Sequence, residues 1–304
     1  MEVLDGFGEG QAEPRAGGGA GGGPDAWFPL IGRGPNHAAR TPMSDSEIRF
    51  DDGAAYERMM GVWSRLVGEV FLDWLAPPPG QRWIDVGCGN GAFTELLAQR
   101  CDPAAIVGVD PSEGQLAFAR ARHAGIARFE QGDAMALPRG DDSFDAAVMA
   151  LVIFFVPEPA KGVAEMKRVV RPGGMIAAYA WDVLEPGGFP MSAMQEELRD
   201  MGFTPMLPPR PEVSRIGALH ALWDDAGLTD IATREIIVAR TFDDFEDYWA
   251  SVQIALGMRD GTSAMDADVR MRLKDGLRAR LPSDAEGHVS FTSRANAVVG
   301  RVPG

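Results

Sequence analysis

The sequence predicts an α/β protein with a doubly wound, mostly parallel sheet and helices on both faces. From Trp83 to Trp181, short apolar segments typical of strands alternate with segments of helical spacing. Strands that alternate with helices in this way form parallel units joined by right-handed crossovers. A glycine-rich turn, Gly87–Gly91, separates the first of these strands from its helix, as in doubly wound sheets that bind ligands at their carboxyl edge. The chain has 304 residues, 45% of them hydrophobic, which suffices for a buried core.

The N-terminal residues 1–45 differ in composition from the rest of the chain. The run Gly17–Pro24 reads GGGAGGGP, and few bulky apolar residues lie near it. Such a segment cannot bury enough apolar surface to offset its ordering entropy, so we expect a disordered extension. Met43 precedes ordinary polar and helical sequence, and we expect translation to start there. Residues 46–304 are predicted to form the folded domain.

The first elements of this domain follow from their apolar spacing. Ala54–Leu75 has helical periodicity, and the prolines that follow end this helix. The strand that begins at Trp83 leads into a helix that reaches Arg100. The next strands are AIVGVD ending at Asp110, RFEQGD ending at Asp133, FDAAVMALV from 144 and MIAAYAW from 175, with helices after Pro111 and at 159–170.

The second half of the chain has a less regular pattern. Helical spacing predicts helices at 191–201, 215–226, 243–257 and 266–281, and a Pro-rich loop lies at 205–211. Apolar segments predict two late strands, at about 232–240 and about 289–300.

The composition disfavours several classes of partner. The net charge is −15, and no cluster of Lys and Arg interrupts it, so a phosphate backbone or an anionic membrane would be repelled. No apolar run approaches the roughly 20 residues that a membrane helix needs. The two cysteines, Cys88 and Cys101, are separated by a predicted helix that would hold them on the order of 15 Å apart, too far for a disulfide. We therefore expect a reduced, cytoplasmic protein that binds no nucleic acid and has no membrane span.

The segment Asp85–Gly91, DVGCGNG, carries most of the functional information. Glycines lack a Cβ and so allow a tight turn and a close approach of a ligand to the backbone. The dinucleotide fingerprint G-x-G-x-x-G would require its third glycine at the position of Ala92 or Thr94. Because alanine is sometimes tolerated there, spacing alone does not exclude NAD. The preceding acid Asp85 and the additional Gly91 point away from a dinucleotide site.

Two further acids end the next two strands. Asp110 follows the glycines by about 20 residues, where a carboxylate can accept both hydroxyls of a ribose. Asp133 ends the third strand within Gly-Asp-Ala, where it could accept the amino group of an adenine. An Asp at a strand end is often only a helix N-cap, and this alternative stays open for each acid alone. The glycine loop, Asp110 and Asp133 lie at the ends of three consecutive strands, and this arrangement favours one shared binding site.

This series of segments resembles the motifs of class I S-adenosylmethionine-dependent methyltransferases. WIDVGCGNGAF, VGVDPSEGQL, GDAMALP, DSFDAAVMA and RVVRPGG follow the family's order over about residues 54–182, most closely that of the small-molecule branch of ubiquinone and menaquinone biosynthesis. The resemblance implies a Rossmann-like sheet of seven strands whose last strand is antiparallel, S-adenosyl-L-methionine as cofactor and a small-molecule methyl acceptor. The resemblance also implies that residues 182–289 contribute to the acceptor pocket.

The resemblance also assigns roles to individual residues. The methionine moiety would border Asp85, Gly87, Cys88, Gly89 and Gly91, and the ribose would bind to Asp110. The adenosine would be flanked by Pro111 and Gln115, and the adenine would be held by Asp133, Ala134 and Met135. The sulfonium end would face Ala150 and Leu151.

No catalytic residue can be assigned from the sequence. Many relatives carry a histidine after the fourth strand, where this chain has Ile153–Phe155, so either the acceptor needs no such base or a base comes from elsewhere. The histidines lack metal-ligand spacing, and we expect no metal. Candidates for a lid or the acceptor pocket are Tyr56, Met60, Trp63 and Phe155. For Tyr56, Met60 and Trp63 the alternative is packing of an apolar helix face. The same alternative applies to a second helix face, which carries Phe242, Phe245, Trp249 and Val252.

Three functions remain open at this point. The first is an active small-molecule methyltransferase, and the second is a regulatory protein that binds the cofactor without transfer activity. The third, a nicotinamide oxidoreductase, is disfavoured by Asp85 and by the Gly-Asp-Ala segment. The oligomeric state has no signature in the sequence.

Overall fold

The structure is a computed structural model that describes residues 31–33, 60–205, 207–255 and 266–304. The predicted 1–45 extension lies outside these residues, apart from Ile31–Arg33, which form a short strand. The proposed start at Met43 and the candidate Tyr56 also lie outside them. No helix within the described ranges is long and apolar enough to cross a membrane.

The main sheet has seven strands in the order β4-β3-β2-β5-β6-β9-β8. The first five strands of this order are parallel, and β9 is antiparallel to both of its neighbours, so the predicted fold class is confirmed. The strands are β2 Arg82–Val86, β3 Ala105–Asp110, β4 Arg128–Gln131, β5 Phe144–Ala150, β6 Val170–Trp181, β8 Thr229–Phe242 and β9 Val289–Arg301. A separate two-stranded sheet pairs β1 Ile31–Arg33 with β7 Phe203–Pro205.

Eight α-helices occur in the described ranges. They are α1 Val62–Leu75, α2 Ala92–Cys101, α3 Glu113–Arg122, α4 Pro159–Val169, α5 Ser192–Asp200, α6 Ile216–Asp225, α7 Phe245–Ala255 and α8 Ala267–Arg280. Local chemistry explains two of these starts. Ser112 caps α3 by accepting a hydrogen bond from the backbone N–H of Gln115, and Pro159 occupies the first turn of α4.

The core lies on both faces of the central strands. Most side chains of β5 and all residues from Gly174 to Trp181 of β6 are buried, including Met149 and Tyr179, as expected where helices cover both faces of a parallel sheet. Trp63 of α1 is 1% exposed and packs against Trp181 and Phe291, with ring centroids 6.4 and 5.1 Å apart. In this structure Trp63 therefore belongs to the core.

The antiparallel pair of β8 and β9 extends beyond the carboxyl edge of the sheet. Trp181, the last residue of β6, pairs with Ala295, so residues 289–294 pair only with β8. Apolar side chains of this overhang and of α5, α7 and α8 form a second buried cluster, which we call the cap. Its buried members are Met191, Met194, Leu198, Phe242, Phe245, Tyr248, Trp249, Val252, Leu273, Leu277 and Val289. The apolar face predicted in α7 thus packs within the cap.

Some details differ from the predicted elements. Strand β6 begins at Val170 instead of 175, and its register with β5 shifts between Phe144 and Ala146. Gly174 permits this irregularity, because a Cβ there would lie 2.4 Å from Val170 Cγ1 and 2.7 Å from the Asp145 carbonyl. The strand β7 and two 3-10 turns, Ile153–Phe155 and Pro211–Ser214, were not predicted, since segments this short have no periodicity.

Candidate functional site

The glycine bend connects β2 to α2 at the carboxyl edge of the sheet. Gly87, Gly89 and Gly91 have φ angles of +77°, +51° and +83°, which non-glycine residues rarely adopt. The N–H groups of Gly87 and Cys88 donate to the Val109 carbonyl at 2.7 and 3.1 Å. These hydrogen bonds tie the bend to the end of β3.

The surroundings of the three glycines differ. A Cβ on Gly87 would lie 2.5 Å from Val152 Cγ1, and one on Gly91 would lie 2.7 Å from His123 Cδ2. A Cβ on Gly89 would meet nothing within 4 Å. Gly89 is therefore the point of the bend at which a ligand can approach the backbone.

Asp110 closes the bend from the neighbouring strand. Its Oδ2 accepts a hydrogen bond from the Gly89 N–H at 2.9 Å, and its Oδ1 accepts one from the Ser112 N–H at 2.9 Å. Burial raises the pKa of Asp110, and the two backbone donors counteract this shift. The structure thus brings together Asp110 and the glycine bend, and a carboxylate oxygen has further lone pairs for ligand donors.

Asp85 lies beneath the bend and is completely buried. Thr94 Oγ1 donates to its Oδ2 at 2.6 Å, whereas its Oδ1 is buried without a hydrogen-bond partner. Burial raises the pKa of Asp85 to about 7; the Thr94 hydrogen bond opposes this rise, and the nearby negative charge of Asp110 adds to it. Sequence reasoning missed Thr94, although a threonine in the first turn of the following helix was a usable signal.

Asp133 follows β4 and is exposed. Its Oδ1 accepts the Met135 N–H at 2.8 Å, and its carbonyl accepts the Ala136 N–H at 3.0 Å, so the segment forms a tight turn. Ala134 and Met135 are half-buried. The Gln131 side chain donates to the Pro111 carbonyl at 3.0 Å, which connects this strand end to the β3 side.

The turn after β5 completes the same edge. Leu151 has a φ of +61°, an uncommon conformation for a bulky residue, and its N–H donates to the Tyr179 carbonyl at 2.8 Å. The next residue, Val152, fills the space beside Gly87. Ala150, Leu151 and Phe155 are half-buried. The turn thus contacts the glycine bend directly, a contact that no sequence motif announced.

The remaining residues have the following surroundings. Cys88 and Cys101 are free and buried, and burial raises the pKa of the Cys88 thiol. Met60 is half-buried and touches both the core and the cap, and Gln115 is half-buried beside the exposed Pro111.

One group of possible metal ligands occurs within the described ranges. Potential ligand atoms of Asp284, Glu286 and His288 lie within 4.8 Å of one another in the turn before β9. Asp284 accepts hydrogen bonds from the backbone N–H groups of Glu286 and His288, at 3.0 and 2.8 Å. These contacts account for the arrangement as a turn.

The central part of the chain matches a known family. Residues 84–178 fit the family described as "Methyltransferase domain". This segment contains the glycine bend, Asp110 at the end of β3, Asp133 after β4, and the turn after β5. Residues 84–178 are thus similar to a methyltransferase domain.

Individual proteins are similar to parts of this chain. Over 137 residues the chain is 36% identical to the ubiquinone/menaquinone biosynthesis C-methyltransferase UbiE of Roseobacter denitrificans. This alignment covers 43% of this chain and 53% of that protein. Over 176 residues it is 31% identical to the O-methyltransferase cnsE of Penicillium expansum, covering 51% and 63%. Phosphoethanolamine N-methyltransferase 2 of Haemonchus contortus shares the fold, with a TM-score of 0.51 at 18% identity over 83% of this chain and 57% of that chain. The chain spans about half the length of the curated relatives that it matches.

Proposed function

We propose that this protein transfers a methyl group from S-adenosyl-L-methionine to a small-molecule acceptor in the cytoplasm. The observation that supports this most strongly is the meeting of the glycine bend, Asp110 and Asp133 at one edge of the sheet, along three neighbouring strands. Family membership of residues 84–178 supports it independently.

The residues at this edge fit the cofactor. The open side of Gly89 leaves room for a ligand against the backbone, and Asp110 offers carboxylate lone pairs for ribose hydroxyls next to it. The unpartnered, buried Oδ1 of Asp85 could accept a donor from the methionine end. Ala134 and Met135 would line the adenine, and Asp133 would accept its amino group.

The acceptor would bind between this edge and the cap. Met60, Phe189 and Phe291 pack against both the main core and the cap, so they line the boundary between the two. A cavity of about 290 Å³ opens beside Phe189 and Phe291, next to the cap. This volume lies near the lower end of the range for small-molecule sites, which favours a compact acceptor.

The protein's own contribution to transfer is alignment and exclusion of water. S-adenosyl-L-methionine supplies a methyl group that is already activated on a sulfonium. The chain would therefore need to bind and orient both reactants, and it would need a base only if the acceptor must lose a proton. The turn from Leu151 to Phe155 would shape the sulfonium end through its packing against Gly87.

Calorimetry and a turnover assay test this proposal. We expect S-adenosylhomocysteine, the product form of the cofactor, to bind to the full chain and NADH not to bind. Methylation of a panel of small acceptors should release S-adenosylhomocysteine. Binding of NADH alone would refute the proposal, and cofactor binding without turnover on any acceptor would favour a non-catalytic, regulatory role.

A further inference from the structure

Arg168, near the end of α4, binds the loop that follows the Asp133 turn. Its Nη1 donates to the Arg139 carbonyl at 2.7 Å, and its Nη2 donates to the Leu137 carbonyl at 3.1 Å. Its Nη1 also donates to Asp141 Oδ1 at 2.8 Å. One guanidinium thus holds three points of the loop, an arrangement that suits the planar fork of arginine donors.

Glu165 lies one turn earlier on the same helix and binds both the guanidinium and the loop. Its Oε1 accepts from Arg168 Nε at 2.8 Å, and its Oε2 accepts from Arg168 Nη2 at 2.7 Å. The same Oε2 accepts the Leu137 N–H at 2.8 Å. The hydrogen bonds between the two side chains lower the pKa of Glu165 and raise that of Arg168, so both stay charged at neutral pH. We call these two residues the α4 pair.

The Asp133 turn is anchored at both of its ends. At its start the Gly132 N–H donates to the Asp110 carbonyl at 3.1 Å. At its end the α4 pair binds both the carbonyl and the N–H of Leu137, whose side chain is buried. Hydrogen bonds within the turn fix its shape, and these two anchors fix its place at the edge of the sheet.

The partial exposure of the α4 pair limits its contribution to the stability of the whole domain. The side chains of Arg168 and Glu165 are 32% and 20% exposed, and ion pairs that water reaches contribute little to the free energy of folding. Arg168 directs its remaining donors to the loop. We therefore expect the pair to act mainly on the place of the loop and of the turn before it.

We propose that Arg168 is a positioning residue that, with Glu165, sets the place of the Asp133 carboxylate and thereby the selection of adenine in the cofactor. This inference rests on the proposed function. The amino group of adenine can donate to a carboxylate, whereas hypoxanthine carries an oxygen there, which a carboxylate repels. Because a hydrogen bond weakens steeply with distance and angle, this selection depends on where the carboxylate lies.

Calorimetry of the full chain with S-adenosylhomocysteine and S-inosylhomocysteine tests the inference, since the two ligands differ only in the base. We expect the wild type to prefer the adenine form by about 10- to 100-fold, as for a hydrogen bond to a charged group. Arg168→Met keeps a long side chain and removes the donors. It should lower this preference about tenfold, mainly by weakening the binding of S-adenosylhomocysteine. An unchanged preference in folded Arg168→Met would overturn the inference.

Two further variants separate positioning from charge. Arg168→Lys keeps the positive charge but has a single donor centre, so we expect the preference to stay low. A wild-type preference in Arg168→Lys would overturn the inference, and this variant decides the question if Arg168→Met does not fold. Arg171→Met is the matched control, because Arg171 binds Asp145 and the Pro172 carbonyl at the amino edge. It removes the same charge and should leave the preference unchanged.

The variant Asp133→Ala tests whether Arg168 acts through this carboxylate. In the Asp133→Ala background, Arg168→Met should leave the affinity for S-adenosylhomocysteine unchanged, since the group that it positions is gone. An equal loss of affinity in both backgrounds would show that Arg168 acts through another part of the fold, and would overturn the inference.

The outcomes for the wild type separate this inference from the proposed function. If the wild type prefers the adenine form and this preference survives in Arg168→Met, only the inference fails. If the wild type binds both ligands equally, the cofactor site stands, and the inference fails together with the role of Asp133. If the wild type binds neither ligand, the proposed function fails and the inference fails with it.

Discussion

The substitution Gly89→Ala separates the fold of the glycine bend from its binding role. Gly89 has a φ of +51°, and a Cβ there would meet nothing within 4 Å of the protein. The methyl group would project into the space that we assign to the cofactor. We therefore expect a small loss of stability and a large loss of affinity for S-adenosylhomocysteine.

The losses of stability and of affinity are set by the backbone conformation of Gly89 and by the space beside it, respectively. An alanine in the left-handed region costs about 1–2 kcal/mol, which lowers the Tm of a domain of this size by roughly 2–8 °C. A methyl group forced into an occupied binding space costs about 1–3 kcal/mol, or roughly a 5- to 150-fold increase in Kd. Gly87→Ala should be more destabilising, because its Cβ would also overlap Val152 Cγ1 at 2.5 Å.

Gly80→Ala is the matched control for this measurement. Gly80 has a φ of +76°, and its Cβ would likewise meet nothing within 4 Å, but it lies in the turn before β2 at the amino edge. Thermal unfolding and calorimetry on both variants should give similar losses of stability and a loss of affinity for Gly89→Ala alone. Equal affinities of Gly89→Ala and the wild type would refute the cofactor position.

Three further predictions concern the acids and the core. Asp110→Ala should weaken binding of S-adenosylhomocysteine by about 1–3 kcal/mol in calorimetry, and unchanged binding would exclude Asp110 from the site. The pKa of Asp85 is raised from 3.8 to about 7, so the folded protein binds the additional proton and its contribution to stability is lost as the pH rises through about 7. Urea unfolding at several pH values should show this decline in the wild type and not in Asp85→Asn, whereas parallel curves would contradict it. Trp63→Ala should lower the free energy of unfolding by about 3–5 kcal/mol, compared with a small effect for the 38% exposed Val62→Ala; similar effects would argue against a core role.

The parallel half of the sheet could be predicted because its signals are local. Pro111 and the Pro-Gly-Gly segment after α4 separate apolar runs whose lengths suit strands, and the predicted strands match β2 to β6 within a few residues. The acids at the ends of β2 and β3 could be placed at one edge, since parallel strands share their carboxyl ends there. The structure adds the direct hydrogen bond from Gly89 to Asp110.

The contacts around the cap and beyond the end of β6 could not be predicted, because they join residues far apart in the sequence. Asp182 meets Asn296 only when β9 enters antiparallel between β6 and β8. The apolar spacing of α7 correctly indicated a buried face, but it did not indicate that Trp249 packs in the cap. Val152 beside Gly87 is likewise a tertiary contact with no motif of its own.

A crystal structure of the full chain soaked with S-adenosylhomocysteine is the most direct measurement of where the nucleoside lies. We expect the ribose hydroxyls within hydrogen-bond distance of Asp110, the backbone of Gly89 against the ligand, and the adenine beside Asp133 and Met135. Density for the ligand at any other surface, with these residues uncontacted, would contradict the account.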